Sequence, residues 1–355
     1  MKKVSILIII MMILASKSFT QGCVAIRSNG GFNNMSHVDS SKWQLSVNNR
    51  FFKSYKHFIG TDEQKQRQTL GNEVINHDFT TDITLTHKIN SRWSYMINLP
   101  VTSNSRSSLY EHNNVGRYVT HSFGVGDIRF AVYDWILDPA KANKFNVQLG
   151  LGIKLPTGNY NCQDFFHVTK DSLRVGPVDQ SIQLGDGGTG ITFELNTFYN
   201  ISHQISLYGN FYYLSNPQDV NGISTARGGT ASSSSIQNTS NVMSVPDQYM
   251  FRAGASFMFN AFTASIGVRD ECLPVNDLIG SSHGFRRPGY IISAEPGITY
   301  QIKKINLYAY VPVALVRNRT QSVPDQITTQ LTGVYTHGDA AFADYAVNIG
   351  FSVRF

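Results

Sequence analysis

The last twelve residues of the chain, DYAVNIGFSVRF, alternate without a break between apolar side chains and polar or small ones. The apolar or aromatic positions are Tyr345, Val347, Ile349, Phe351, Val353 and Phe355. Side chains of a β-strand point alternately to its two faces, so this period predicts a strand with one apolar face and one wet face. The termini of soluble domains usually fray. A strand that runs to the last side chain therefore indicates a terminus that is held by its surroundings.

The same alternation recurs along the chain and predicts twelve strands. It is clearest at 145–155, FNVQLGLGIKL, where apolar residues alternate with Asn, Gln, Gly and Lys. The predicted strands are 42–52, 78–89, 92–101, 125–137, 145–155, 190–200, 204–214, 248–260, 262–271, 290–302, 305–316 and 344–355. Strands of about ten residues are long enough for a tilted crossing of a bilayer.

The connections between these strands are of two kinds. Those after the even-numbered strands are short, whereas those after the odd-numbered strands are long and polar, about 15 to 35 residues each. Short periplasmic turns and long extracellular loops are typical of a transmembrane barrel, and closure leaves no open edge in lipid. The sequence therefore predicts an all-β fold, a closed antiparallel transmembrane β-barrel of about 12 strands. A soluble secreted β-sandwich, which also alternates, is the less favoured alternative.

The N-terminus predicts export. Lys2 and Lys3 precede an apolar run from Val4 to Ala15, which is too short to span a bilayer and is typical of a cleaved secretory signal. We expect a signal peptide at 1–20, a periplasmic segment at 21–41 that could plug the barrel, and the barrel at 42–355. A lipid on Cys23 is an alternative, although the apolar residue that begins a lipobox is missing.

Composition agrees with a secreted β-protein. Aromatic residues make up 12% of the chain, and 29 Gly outnumber 11 Pro, which favours strands and turns. Cleavage would remove three lysines and no acid, so the net charge of +6 becomes about +3, too mild to indicate nucleic acid binding. The expected location is the outer membrane of a Gram-negative-type bacterium, and the expected partners include outer-membrane lipids and lipopolysaccharide.

The inward faces of the predicted strands carry charges near the extracellular side and rings lower down. The charged residues predicted at the lumen mouth are Arg50, Asp82, Asp127, Arg129, Lys154, Glu194, Arg252, Arg269, Glu295 and Asp344. The residues predicted at an uncharged lumen waist are Phe198, Tyr208, Tyr308 and Tyr310. Twelve strands lie between the filled interior of eight and the open pore of sixteen. The charges could instead pair across neighbouring strands and fill the barrel, with Lys154 and Glu194 as candidates.

Three stretches resemble a known family: GVGDIRFAVYDWIL at 124–137, LGLGIKLPTG at 149–158 and LGDGGTGITFEL at 184–195. In these the chain is similar to outer-membrane barrels assigned as transporters of the meta-pathway of phenol degradation. The resemblance covers the fourth to sixth predicted strands and is mostly architectural elsewhere. It implies a barrel that passes small solutes. The terminal strand also resembles the signal that the outer-membrane assembly machinery recognises, with Phe355 as its closing residue.

Signatures of catalysis or metal binding are missing from the sequence. There is no HExxH, GxxxxGK or CxxC, and GDGGTG lacks the lysine of a phosphate-binding loop. His121 and Ser122 are adjacent, so they would point to opposite faces of a strand, unlike the His-x-Ser pair of the outer-membrane phospholipase. We therefore expect no enzyme, no cofactor and no metal. The carboxylates Asp62, Glu63, Asp339 and Asp344 could form a catalytic or calcium-binding cluster, although solvated loop charges are the simpler interpretation.

Two cysteines fall in predicted extracellular loops. Cys162 and Cys272 lie on the same side of the membrane in an oxidising compartment, so a disulfide between them is one prediction and free thiols are the other.

The sequence thus predicts an outer-membrane channel for small, aromatic or otherwise apolar solutes. The alternative is a closed barrel that acts through its extracellular loops as an adhesin or structural surface protein. A continuous lumen would favour the channel, whereas a lumen blocked by paired charges would favour the alternative.

Overall fold

The structure, a computed structural model, describes residues 41–355. Its strands are β1 (Trp43–Ile59), β2 (Asp62–Glu63), β3 (Ile75–Lys88), β4 (Trp93–Ser108), β5 (Tyr118–Val125), β6 (Arg129–Trp135), β7 (Phe145–Lys154), β8 (Gln163–His167), β9 (Leu173–Pro177), β10 (Gly190–Asn200), β11 (Ile205–Ser215), β12 (Val220–Ser224), β13 (Val242–Ser244), β14 (Gln248–Phe259), β15 (Phe262–Leu273), β16 (Gly289–Ile302), β17 (Ile305–Tyr310), β18 (Val313–Arg319) and β19 (Ala340–Arg354). Short helices are Gln66–Thr69, Ser233–Gln237 and Val323–Thr332, and 3-10 turns are Tyr110–His112 and Gln180–Ile182. Within 41–355, no helix has the length and apolar character needed to cross a membrane.

The large sheet closes on itself as a barrel of twelve antiparallel crossings, which confirms the predicted fold. Ten crossings are single strands, and the other two are interrupted, one between β5 and β6 and one between β17 and β18. Pro312 lies in the second gap and has no backbone N–H to donate to a ladder. The barrel closes where β19 pairs with β1, from Gln44 opposite Arg354 to Phe58 opposite Ala340. Closure leaves the barrel wall without an unpaired edge.

The two faces of the wall have opposite character. In β7, Leu149, Leu151 and Ile153 are exposed on the outer face, with Leu151 63% exposed, whereas Asn146 and Lys154 are buried on the inner face. Among the described residues, buried side chains are more often polar or charged than apolar. This inside-out arrangement is what a lipid-facing wall around a polar lumen requires.

The periplasmic rim resolves a conflict in β6. Asp134 lies on the outer face opposite Leu149, where a lone carboxylate would face lipid. Its carboxylate binds Arg92 at 2.8 Å, in the turn before β4, so the charge sits at the rim with a partner. Trp93 is exposed nearby, as expected of an interfacial ring. The ring of Trp135, the last residue of β6, packs against the buried ring of Phe198, with the centroids 5.9 Å apart.

The long connections fold over the extracellular mouth. Loop 155–189 contains the β8–β9 hairpin and the 3-10 turn Gln180–Ile182, and the next long loop contains the β12–β13 pair. The predicted signal peptide, the proposed plug at 21–41 apart from Ser41, and Cys23 lie outside the described residues.

The possible disulfide between Cys162 and Cys272 is not formed, because the two cysteines are buried in different places. Cys162 packs with Val178, Ile182 and Leu184 inside loop 155–189. Cys272 packs with residues of β11 and β14 at the extracellular end of β15. The two sulfurs therefore belong to separate apolar clusters.

A substitution in β7 tests the facing of the wall. Leu151→Arg puts a charge on the lipid face and should destabilise the barrel by about 2–4 kcal/mol, whereas Leu151→Phe should change stability little. The measurement is urea unfolding of the barrel in lipid vesicles, monitored by the difference in gel mobility between the folded and the heat-unfolded protein. Gly152 is not a fair inward control, because a Cβ there would collide with the carbonyl oxygen of Phe130. Equal stability of the two Leu151 variants would contradict the assignment.

Candidate functional site

A cavity of about 150 Å³ lies in the extracellular half of the lumen, and we call it the inner cavity. Its charged wall residues include Arg50, Asp127, Arg129 and Lys154, all four of which were predicted at the mouth. Its apolar wall residues are Phe52, Leu184, Leu214, Met243 and Leu273. This is about the volume of an apolar cavity that admits benzene, but most of the residues that line the inner cavity are polar or charged.

The roof of the inner cavity is segment 180–186 of loop 155–189. Leu184 packs under Gly124, where a Cβ would come within 2.9 Å of it. The hydroxyl of Ser122, on the inner face of β5, donates to the carbonyl of Ile182. Gly158 allows the close approach of the chain, because a Cβ there would lie 2.7 Å from the carbonyl oxygen of Leu184.

An ion-pair cluster, which we call the loop latch, fixes this roof to two other parts of the barrel. It consists of Asp179, Arg106 on β4 and Arg287 in the loop before β16. Arg287 donates two bonds to the Asp179 carboxylate, at 2.8 and 2.6 Å, and Arg106 lies 3.4 Å from it. Burial alone would raise the pKa of Asp179, but the charges of Arg106 and Arg287 outweigh burial and hold that pKa well below its usual range.

The charges around the inner cavity are paired with each other. Lys154 binds Asp127 at 3.3 Å and also binds Asp186 of the roof. Arg129 lies 3.9 Å from Glu194 and 5.2 Å above the ring of Tyr212. Lys154 and Glu194 were candidates for pairing, and each does pair, but with a different partner.

A second charged cluster lies on β14, β15 and β16. Glu295 binds Arg252 at 2.6 Å and Arg269 at 3.1 Å, and all three are almost completely buried. Arg269 also binds Glu271 at 2.7 Å, and Glu271 lies 3.9 Å from Arg50. Glu271 was not among the predicted residues, although it stands two positions after Arg269 and so shares its face.

The remaining two mouth residues have different outcomes. Asp82 shares the inner face of β3, opposite Asn48. Asp344 does not join the lumen mouth: its side chain is 29% exposed and binds Lys56 and Arg317. The reason is a register shift between β1 and β19 just above Phe52, which ends the simple alternation.

The tyrosines predicted at the waist lie flat against the wall. Tyr208 extends over Gly254 and Gly267, and Tyr308 extends over Gly350, so that a Cβ at any of these glycines would collide with a tyrosine ring or hydroxyl. Tyr308 stacks on Tyr310, with centroids 6.1 Å apart. Tyr310 in turn lies under Arg252, 5.2 Å from its guanidinium carbon. Phe198, the fourth predicted residue, packs on Trp135 as described above.

The loop carboxylates have separate basic partners. Asp339 binds His57 at 3.0 Å and Arg67 at 2.7 Å, away from the lysine and arginine that hold Asp344. His121 is exposed while Ser122 points inward, as expected from their adjacency.

No known protein family and no curated protein matches the chain. Among solved structures, the chain is similar to the COG4313 outer membrane channel from Pseudomonas putida F1, with 10% identity over 93% of this chain and 100% of that one and a TM-score of 0.60. It is more distantly similar to the translocator domain of autotransporter NalP from Neisseria meningitidis, with 12% identity over 91% and 92% of the two chains and a TM-score of 0.46. It is also distantly similar to the toluene transporter TodX from Pseudomonas putida, with 7% identity over 95% and 96% of the chains and a TM-score of 0.41.

The TM-score of the first structure indicates a shared fold, whereas those of the other two are below 0.5. The shared fold is that of an outer-membrane barrel over nearly the full length of both chains. The family suggested by the sequence resemblance stays a prediction.

If the loop latch holds the roof closed, breaking the latch should speed up local opening of the roof. Asp179→Asn removes one charge from a buried pair, a change that typically costs about 3–5 kcal/mol, so local opening of segment 178–188 should become at least tenfold faster. Hydrogen exchange of that segment measures the opening. Asp171→Asn, an exposed change in the same loop, is the matched control.

The pH dependence provides a second check on the latch. Because the folded pKa of Asp179 is depressed, its contribution is fully present above the unfolded value of about 3.9 and is lost only as pH falls through the folded pKa. Intrinsic-rate-corrected exchange should therefore not change between pH 8 and pH 5. A roof that opens in this range would contradict the latch.

Proposed function

We propose that this barrel is an outer-membrane channel for small, aromatic or otherwise apolar solutes. The observation that carries the proposal is the inner cavity, which has the volume of a single-ring solute and is lined by residues of both the barrel wall and the extracellular loops. Similarity of fold to an outer membrane channel supports the transport role.

The chemistry of the inner cavity supports the solute class. Phe52, Leu184 and Leu214 offer apolar area, and small-molecule sites usually combine such area with a few polar groups that fix orientation. The charges in the wall are paired with each other, so they do not attract an ionic solute strongly.

The waist supports passage below the cavity. Tyr208 and Tyr308 lie over glycines of the neighbouring strands, so their rings offer faces and edges to a passing ring while staying close to the wall. We propose that these two residues, with Tyr310 and Phe198, contact the solute on its way to the periplasm.

A closed barrel that acts through its loops is the second candidate. It is favoured by the cluster of Glu295, Arg252 and Arg269, whose side chains are at most 4% exposed. The two candidates differ in one measurable property, because a closed barrel carries neither ions nor solute.

Filling the inner cavity tests the channel. Leu184→Trp adds a large ring to the cavity wall and should lower the flux of benzyl alcohol into proteoliposomes at least tenfold, because the space for one ring is lost. Val175→Trp, on the exposed face of the β9 hairpin in the same loop, is the matched control and should leave flux unchanged. Wild-type protein that gives neither flux nor conductance would overturn the channel in favour of the second candidate.

Ion preference tests the paired charges. Lys154→Gln leaves Asp127 and Asp186 without their shared cation, so single-channel selectivity in a planar bilayer should shift toward cations. The shift should shrink as salt rises from 0.1 M to 1 M, because the screening length falls from about 10 Å to about 3 Å. An anion-selective variant would show that these carboxylates do not face the ion path.

A further inference from the structure

A second and larger cavity, which we call the outer cavity, lies among the extracellular loops. It measures about 360 Å³ and is lined by five arginines: Arg67, Arg106, Arg286, Arg287 and Arg319. Arg287 lines the inner cavity as well, so the two cavities meet at the loop latch. The outer cavity is lined by five of the six long loops or their adjoining strand ends, and neither the predicted mouth nor the predicted waist includes any of its five arginines.

The carboxylates that pair with these arginines are not evenly placed. Asp325 binds Arg319 at 3.1 Å and Asp339 binds Arg67 at 2.7 Å, and both acids also line the outer cavity. The other three partners do not belong to its wall. They are Asp277, which binds Arg286, Asp179, which binds Arg287, and Glu111, which binds Arg106.

The lining of the outer cavity therefore has more arginines than carboxylates. It includes five guanidinium groups and two carboxylates, since Asp277, Asp179 and Glu111 are not among the residues that line it. Burial raises the pKa of Asp339, but His57 and Arg67 outweigh burial and hold it at about 2, so this acid is counted as charged at neutral pH. An anion placed inside would contact lining arginines, whereas Asp277, Asp179 and Glu111 do not line the cavity.

Arg67 and Arg287 are the two most exposed of the five guanidinium groups. The side chain of Arg67 is 33% exposed and that of Arg287 is 11% exposed, whereas Arg286 is fully buried. The planar donor fork of arginine matches a carboxylate with two parallel hydrogen bonds. Arg67 and Arg287 are therefore the groups that a ligand can reach.

The wall also has an apolar part. Phe285 lies under Arg287, with the guanidinium carbon 4.7 Å from the ring centroid, and Val74, Pro324 and Ala340 add aliphatic surface. A ligand that fits both parts carries one anionic group and a small apolar body.

We propose that the outer cavity binds small organic acids, with the carboxylate held by Arg67 and Arg287 and the apolar body against Phe285. The site goes beyond the proposed function, because it requires binding at the extracellular face and no passage through the lumen. An organic acid with a single ring also has the size of the inner cavity, which Arg287 lines as well.

The test is equilibrium binding to the full barrel in detergent, measured by titration calorimetry with benzoate and with its neutral near-isostere benzamide. Benzoate should bind at least tenfold tighter than benzamide, because the charged hydrogen bonds are lost with the amide. Raising the salt concentration should weaken benzoate binding and leave benzamide binding unchanged. Equal affinities, or no detectable binding of benzoate at millimolar concentration, would overturn the proposal.

Substitutions locate the binding site. Arg67→Gln should weaken benzoate binding about tenfold, and Arg67→Lys, which keeps the charge, should restore part of the affinity. Arg92→Gln, which removes a similarly exposed arginine at the periplasmic rim, is the matched control and should have no effect. Folding of each variant is checked by heat modifiability. A folded Arg67→Gln protein with unchanged benzoate affinity would refute the assignment of this site, and it would leave the channel proposal to be decided by the flux assay.

Discussion

Closure of the sheet is the constraint on which the rest of this structure depends. Every backbone N–H and C=O in the hydrocarbon region needs a partner inside the protein, and a barrel supplies one only if its first and last strands meet. Here β19 pairs with β1 along nearly its whole length, and the final residue exchanges two backbone hydrogen bonds with Trp43, at 3.0 and 2.9 Å. The alternation of apolar and polar residues over the last twelve positions reflects this requirement, because one face of the closing strand faces lipid and the other faces the lumen.

Closure also encloses polar and charged side chains in the barrel interior, where each of them needs a partner. Removing a charge from water costs free energy that only a well-placed partner recovers. The clusters around Glu295 and Lys154 meet this condition with cations and carboxylates from neighbouring strands and from the roof. Lower in the barrel, Asn196 links Gln148 and Asn210 by hydrogen bonds of 3.2 and 2.8 Å across three adjacent strands. Glycines opposite tyrosines complete the wall, since a large ring fits over a position that has no side chain.

The same physics explains what could be predicted from the sequence. A two-residue period assigns faces wherever the strand is regular, so Leu151 was expected outside and Lys154 inside, and both are found there. Asp344 was misassigned because a register shift in the closing pair is invisible in the pattern of one strand. The pairing of Glu295 with Arg269 joins adjacent strands, which the barrel topology makes predictable, whereas Arg252 lies two strands away from Glu295, on β14. The latch could not be predicted, because Asp179 and Arg287 are 108 residues apart and belong to two irregular loops.

The latch also connects the two cavities energetically. Arg287 lines both of them and is held by Asp179, the residue immediately before the roof. An anion that binds Arg287 from the outer cavity therefore competes with Asp179 for the same guanidinium donors. Any interaction free energy that Asp179 loses to the anion lowers the stability of the closed roof by the same amount. The coupling is reciprocal: the factor by which the anion shifts the roof toward the open state equals the factor by which closing of the roof lowers the affinity for the anion. Occupancy of the outer cavity and access to the inner cavity would then both depend on whether Arg287 binds Asp179 or the anion. A neutral solute does not compete for Arg287, so it would have to rely on spontaneous opening of the roof.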